Sequence, residues 1–263
     1  MSLLTKVNGL REVWKFDNRV WLTLTKTLFR QEKLQVYRYK GLDILIDHAA
    51  GDANGAREVL TSPMYRQFLP KLKFDGPANV LDLGANNGGF PLLLATSGIE
   101  LKKVVSVELN PRTHTRLYFN LTRNLDCDIV ALNAALCGKE TSLEVTLGDG
   151  SVSDSIYSNN INVSGKVYKI KGLTFDNLCD RYFNDEVIDI CKMDVEGAEF
   201  EVFLQPTHSK LKQCRYLIME IHEHGERRAS EILPEIEKCG FVLQAPAAAA
   251  DRAVHLFGNS RFD

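Results

Sequence analysis

Val80-Leu81-Asp82-Leu83-Gly84-Ala85-Asn86-Asn87-Gly88-Gly89 joins an apolar run to a helix-forming run, and the fold follows from how that join is read. Residues 80–83 predict a strand, and residues 90–97 a helix, with Pro91 tolerated in its first turn because that nitrogen needs no intrahelical partner. The glycines let the backbone turn sharply and let a ligand approach the main chain with no Cβ in the way. A turn built for a pyrophosphate carries G-x-G-x-x-G, so that the phosphates rest on the helix N-terminus. Here Asn86 stands at the second glycine of that pattern, and the acidic Asp82 precedes the first. An anion gains nothing from that carboxylate. A ligand with an ammonium group does, directly or through a linked water.

Working outward, short β-rich runs alternate with helical stretches, the pattern of a parallel sheet wrapped by helices. Residues 104–108 predict a second strand; Asn110 then reads as an N-cap and Pro111 as the first residue of a helix to about residue 124. Residues 129–134, 188–193 and 216–221 predict the third, fourth and fifth core strands. Further β segments at 142–147 and 166–170 flank a polar, serine-rich loop, 148–165. Helices are expected at 173–181, from residue 200, and at 229–239. Residues 241–244 and 254–257 close the chain as an antiparallel pair, with the APAAAA stretch (245–250) at its tip. Five parallel strands plus a terminal hairpin predict an α/β, three-layer, Rossmann-like fold with a mostly parallel seven-stranded sheet.

Residues 1–75 differ in kind from the main domain, 76–263. Leu10, Trp14, Trp21, Leu24 and Leu28 recur at helical spacing, and a hairpin is expected to turn at Lys40-Gly41. An N-terminal helix and hairpin packed on the core is the expectation, with the tryptophan stripe facing inward; a membrane-surface helix or a contact between copies of the chain is the alternative. The first residues lack the uninterrupted apolar core of a signal peptide, and no stretch reaches membrane-spanning length. Hydrophobic residues make up 44% and charged residues 25% of the chain, ordinary for a protein with a sizeable core. With 32 Lys and Arg against 34 Asp and Glu, no bulk basic excess draws the chain to nucleic acid. Six cysteines without CxxC pairs argue against a zinc knuckle and fit a reduced, cytoplasmic protein.

Three further stretches carry chemistry. Glu108 ends an apolar strand beside the glycine turn, where a carboxylate accepts ribose hydroxyl protons; Asn133 and Ala134 end the next strand, beside an expected adenine. Lys192-Met193-Asp194-Val195-Glu196-Gly197-Ala198-Glu199 follows an apolar strand, placing carboxylates at the sheet edge where such folds bind ligands. Of these, Glu199 reads as the most structural. Glu220-Ile221-His222-Glu223-His224 ends the neighbouring strand, and with period two Glu220, His222 and His224 share a face. Two strands thus deliver Asp194, Glu196, Glu220 and His222 to one edge.

VLDLGANNGG, VSVELNP, NAALCGKE, KMDVEGAEFEVF and IMEIHEH together resemble the FkbM-type methyltransferase family over about residues 34–257. The resemblance implies a class I fold, S-adenosylmethionine as cofactor and O-methylation of a sugar, glycan or other hydroxylated metabolite. Carried over by position, it assigns Asp82, Gly84, Asn86 and Gly88, with Ala85 between them, to the cofactor loop, Glu108 to the ribose, and Asp194, Glu196, Glu220 and His222 to the reaction edge. Methyl transfer to an alcohol needs a route for the hydroxyl proton, and His222 or Asp194 is the expected base, with Glu196 and Glu220 orienting the acceptor. A divalent cation on Asp194, Glu220 and His222 is the alternative, ranked below direct proton removal. An RNA acceptor is ranked lower still. The 148–165 loop and the N-terminal helix match the family least.

Overall fold

A computed structural model describes residues 12–28, 33–48, 52–147, 166–206, 208–223, 225–245 and 254–262. The expected loops at 148–165 and 246–250, together with Leu10 and His224, lie outside the described residues. Helix α1 (Arg19–Leu28) leads into a hairpin of β1 (Leu34–Tyr39) and β2 (Leu42–Asp47). Lys40 and Gly41 both have positive φ, +49° and +85°, as a two-residue hairpin turn whose twist matches its strands requires. A π-type turn (Ala53–Arg57) and a single turn of helix, α2 (Glu58–Thr61), complete the approach to the main sheet.

The main domain then alternates β3 (Ala78–Leu83), α3 (Gly89–Thr96), β4 (Leu101–Glu108), α4 (Pro111–Asn124) and β5 (Asp128–Leu136). It continues with β6 (Thr141–Leu147), β7 (Lys166–Leu173), α5 (Phe175–Tyr182), β8 (Ile188–Met193), α6 (Ala198–Leu204), β9 (Cys214–Glu220), α7 (Ala229–Lys238), β10 (Phe241–Ala245) and β11 (Val254–Asn259). Among the described residues the sheet has nine strands rather than the seven expected, in the order β10-β11-β9-β8-β3-β4-β5-β7-β6. The surplus is the β6–β7 pair: β7 joins β5 in parallel through Ala134–Leu136, so the parallel run holds six strands, and β6 caps that edge antiparallel. At the other end β11 pairs antiparallel with β9.

Every residue of β3 is buried, because both faces of a parallel sheet are covered. Alternation sorts the strands between two apolar layers. Leu81, Leu83, Val105 and Met193 point into a layer closed by Phe175, Leu178, Phe200, Phe203 and Ile232 from α5, α6 and α7. Val80, Val104, Ile190 and Ile218 point the other way, against Phe90 and Leu93 of α3, Leu117 and Leu121 of α4, and Leu22, Tyr37, Ile44 and Tyr65 from the N-terminal extension. The extension therefore shares a core with the main sheet. Polar ties reinforce it: Asn120 donates to the Leu45 carbonyl at 3.1 Å and accepts from the Leu45 nitrogen at 2.7 Å, and buried Asp52 is paired with Arg116.

The inner face of α1 differs from expectation. Among the described residues, Val13 and Phe16 ahead of α1 and Leu22 and Thr25 on it are buried, while Trp14 ahead of it and Trp21, Leu24 and Leu28 on it are exposed. The described part of the stripe that spacing assigned to the core faces solvent, because the adjoining arc, with Leu22 and Thr25, is the buried one, and Leu22 joins Tyr37, Ile44 and Ile46 of the hairpin in one apolar cluster. Among the described residues no helix is long and apolar enough to cross a membrane.

Candidate active site

The strand order reverses between β3 and β8, with β4 and β5 on one side and β9 on the other. Crevices outside the carboxyl ends of strands at such a reversal are where these folds bind ligands. The glycine loop follows β3 there. Gly84 has φ +73°, and a Cβ on it would fall 1.7 Å from the Asp194 carbonyl oxygen; only glycine lets the loop pass so close to the end of β8. Asn86 takes the left-handed conformation as well, φ +49°, which asparagine tolerates better than most side chains. On the loop's other side Gly55 comes so near that a Cβ would meet the Asn86 and Asn87 amides at 2.4 and 2.6 Å, and Asn87 accepts from the Ala56 nitrogen at 2.7 Å. The 52–56 segment thus clamps the turn, a contact that no local motif announces.

Glu108 ends β4 beside the loop. One carboxylate oxygen accepts from the Asn86 nitrogen at 2.9 Å and the other from the Asn110 nitrogen at 2.7 Å. It therefore fixes both the loop and the start of α4, where Asn110 caps the helix by accepting from Arg112 and Thr113. Asn133 is Glu108's register partner, and its amide donates to the Glu108 and Leu109 carbonyls at 2.9 and 2.8 Å. Ala134, next along, is buried.

Asp82 is fully buried, and its register partner on β8 is Lys192. The Lys192 ammonium lies 3.5 Å from Asp82 and 3.4 Å from Asp194, and donates to the Gly84 carbonyl at 2.7 Å. Burial opposes charge on Lys192, but Asp194 and Asp82 outweigh it and raise its pKa. Burial also raises Asp82, against Lys192's pull. Asp82 was expected to meet a ligand's ammonium; the cationic group beside it in the structure is Lys192, 3.5 Å away. Lys192 and Tyr65 are the residues the motif reading missed. Tyr65 donates at 3.1 Å to Oδ2 of Asp194, the same oxygen that Lys192 faces; burial, with Asp194, Glu220 and Asp82 nearby, raises its pKa far above normal, so the hydroxyl keeps its proton. Lys192 was legible as a lysine inside an apolar strand, where a charge needs partners. Nothing near Tyr65 in sequence marks it.

His222 lies just beyond β9 and gathers the remaining acids. Its Nδ1 is 2.7 Å from Glu199, which is fully buried and also accepts from the His222 nitrogen at 3.2 Å. Its Nε2 faces Glu220 at 3.5 Å and Asp194 and Glu196 at 3.7 Å each. The structure thus brings Asp194, Glu196, Glu220 and His222 together, and Glu199, expected to be structural, binds His222 rather than only capping a helix. Burial works against a charged imidazole, but Glu199, Glu220 and Glu196 push its pKa up to about 11. A general base must be neutral when it acts; this imidazole, surrounded by acids, holds its proton at neutral pH, which argues against His222 as the base. Glu196, with φ +52°, has its pKa raised, by burial first. One oxygen each from Asp194 and Glu220 and one His222 nitrogen lie within 4.8 Å of one another, close enough to share a metal ion.

The sequence matches the model of the methyltransferase FkbM domain over residues 82–243. The chain belongs to the FkbM methyltransferase family. This FkbM protein is an S-adenosylmethionine-dependent methyltransferase, and the matched segment runs from Asp82 to beyond the His222 cluster. Among solved structures it is similar to a methyltransferase FkbM from Methylobacillus flagellatus KT, at 15% identity and TM-score 0.45, covering 71% of this chain and 44% of that one. It is also similar to a ribosomal protein L11 methylase from Lactobacillus delbrueckii subsp. bulgaricus, at 12% identity and TM-score 0.41, covering 72% and 73%. The magnesium protoporphyrin IX methyltransferase from Synechocystis PCC 6803, solved with bound S-adenosylmethionine, gives 12%, 0.41, 70% and 71%. No curated protein matches the chain. The residues at the crevice suit the cofactor: Gly84 and Asn86 open the turn, and Glu108 offers carboxylate oxygens next to it for hydroxyl donors.

Proposed function

We propose that this FkbM protein methylates a hydroxyl oxygen on a sugar, glycan or other hydroxylated metabolite, with the acceptor seated at Asp194, Glu196, Glu220 and His222. The convergence of those four side chains outside the ends of β8 and β9, against the glycine loop, carries this reading. Bound S-adenosylmethionine supplies the activated methyl group. The chain's part is to position the oxygen and receive its proton, since an alcohol is a poor nucleophile until that proton is leaving. Asp194 is fixed by Tyr65 and Lys192, which suits it to orient the hydroxyl. Glu196, 3.7 Å from the His222 Nε2 and with a pKa that burial raises, is the proton acceptor in this reading. Gly84, Ala85, Asn86, Gly88 and Glu108 hold the cofactor in this reading, with Asn133 and Ala134 flanking the adenine. Six free cysteines fit work in the reducing cytoplasm.

The test is transfer of a labelled methyl group to a panel of hydroxylated acceptors, with an RNA included. Glu196→Gln and Asp194→Asn should each lower turnover about 10²- to 10⁴-fold while S-adenosylhomocysteine binds within a few-fold of the native protein. Full turnover in both variants, or labelling of the RNA alone, would overturn the proposal.

A second reading has its own support. Glu199 occupies Nδ1 of His222 and turns Nε2 toward Asp194 and Glu220, the way a carboxylate orients a metal-binding imidazole from behind. A divalent cation that displaced the Nε2 proton of His222 would be held by Asp194, Glu220 and that nitrogen, and would acidify the acceptor hydroxyl. Loss of turnover on exhaustive chelation, restored by Mg²⁺ or Mn²⁺, selects this reading; turnover indifferent to chelation removes it.

A further inference from the structure

The N-terminal extension carries a surface that the methyl-transfer site does not use. Trp14 (57% exposed), Val20, Trp21, Leu24 and Leu28 (70% exposed) are open to solvent. At about 100° per residue, the four on α1 fall on one arc of the helix, next to the arc through which Leu22 and Thr25 enter the core. On β1 the alternation repeats the arrangement: Leu34 and Val36 face out while Gln35 and Tyr37 are buried. The platform is held firmly. Val13 and Phe16 are buried with Leu22 against the hairpin, and Asn18 ties the approach to α1 onto β1, donating to the Val36 carbonyl at 2.8 Å and accepting from the Arg38 nitrogen at 3.0 Å. Seven exposed apolar side chains within residues 14–36 exceed the scattered exposure normal for a soluble surface.

Charge identifies the occupant. The first forty residues hold nine Lys and Arg against three Asp and Glu, in a chain whose formal net charge is −2. Among these, Arg19 reaches over the Trp14 ring, 5.7 Å from its centroid, and Lys33 and Arg38 are exposed beside Leu34 and Val36. A second copy docked face to face would bring two basic segments together, which opposes association. A nucleic acid would answer the charge but leave Val20, Leu24 and Leu28 without an apolar partner. An anionic bilayer answers both: apolar side chains with tryptophan enter the headgroup boundary while basic residues meet the lipid phosphates.

We propose that α1 and the outer face of β1 dock this protein on anionic phospholipid membranes, as an interfacial attachment that spans nothing. Trp14 and Trp21 are the only two tryptophans in the sequence, so tryptophan emission reports on this surface directly. The full-length protein is titrated with phosphatidylcholine vesicles, with and without phosphatidylglycerol. The expected result is a blue shift and co-sedimentation with the anionic vesicles only, reversed by raised salt. Val20→Glu combined with Leu24→Glu, at exposed positions and with both tryptophans retained, should weaken binding at least about tenfold and leave S-adenosylhomocysteine affinity unchanged. The salt series on the native protein tests the claim even if that variant folds poorly. No blue shift with either vesicle, equal binding to neutral vesicles, a dimer that buries the tryptophans without lipid, or retention of RNA with no vesicle binding would each overturn it.

Discussion

The two halves of the crevice solve the problem of a buried carboxylate in opposite ways. On the β4 side Glu108 is an acid satisfied by backbone donors, one N–H from the glycine loop and one from the start of α4. On the β8–β9 side five carboxylates, Asp82, Asp194, Glu196, Glu199 and Glu220, gather around two cationic side chains, Lys192 and His222. The first arrangement ties the carboxylate to rigid backbone on both sides. The second has more acid than cation, and an acid surplus in a partly buried place is a demand for protons or positive charge. A cationic sulfonium cofactor and a hydroxyl about to lose its proton both suit the second half; neutral sugar hydroxyls of the cofactor suit the first.

If that contrast is right, the largest effect comes from removing the cation that balances the surplus. Lys192→Met should lower stability by about 3–5 kcal/mol, the cost of stranding a buried partner charge, measured as the free energy of urea unfolding. Adding Asp82→Asn should recover much of the loss, since the fully buried carboxylate no longer needs a cation. A single variant as stable as the native protein would mean that the acids around Lys192 are protonated already, and the contrast would dissolve.

A smaller effect is expected on the other side. Glu108→Gln puts an amide N–H₂ where one oxygen accepted a backbone N–H, so one donor loses its acceptor, at about 1–3 kcal/mol. Because one of those donors belongs to the cofactor loop, S-adenosylhomocysteine affinity should fall roughly tenfold, within that energy range. Calorimetry beside thermal melting separates two outcomes. Lower melting temperature with unchanged affinity would leave Glu108 a purely structural clamp and end its part in ribose recognition.

How much of this was legible beforehand depends on whether a residue's partner is near it in sequence. The strand–loop–helix unit at 80–96, the Asn110–Pro111 helix start and the convergence of Asp194 with Glu220 and His222 were all readable. Each follows from local pattern plus the rule that parallel strands end on one edge. The parallel β5–β7 pairing was not, since only three register pairs, Ala134 to Leu136 with Lys171 to Leu173, make it. Tyr65 on Asp194 and the 52–56 clamp on Asn86–Asn87 were illegible for the same reason: they join segments tens of residues apart with no motif at either end. The α1 stripe misled for a different one. Its spacing is a true helix signal, but periodicity says that a face is apolar, not that a protein interior covers it. His222 shows the limit on the chemical side: its ordinary pKa suggested a base, and the acids that raise that pKa, Glu199, Glu220 and Glu196, could be placed around it only by the structure.

The smallest effect tests whether the β4 half is as self-sufficient as the contrast requires. Asn133 sits one strand out from Glu108 and grips the chain just after it, donating to the Glu108 and Leu109 carbonyls. Those hydrogen bonds go to main-chain carbonyls and not to Glu108's carboxylate. If Glu108 is positioned by its own two backbone donors, Asn133→Ala should cost about 1 kcal/mol of stability for the lost hydrogen bonds and shift S-adenosylhomocysteine affinity by no more than about fivefold, the same energy expressed as binding. A loss matching that of Glu108→Gln would show that the carboxylate depends on β5 for its place, or that Asn133 itself meets the adenosyl group. Asn133→Asp separates these. It removes both amide donors and adds a carboxylate facing two carbonyl oxygens, so a seat that depends on this grip should lose more affinity with Asp than with Ala. A seat held by Asn86 and Asn110 should respond alike to both.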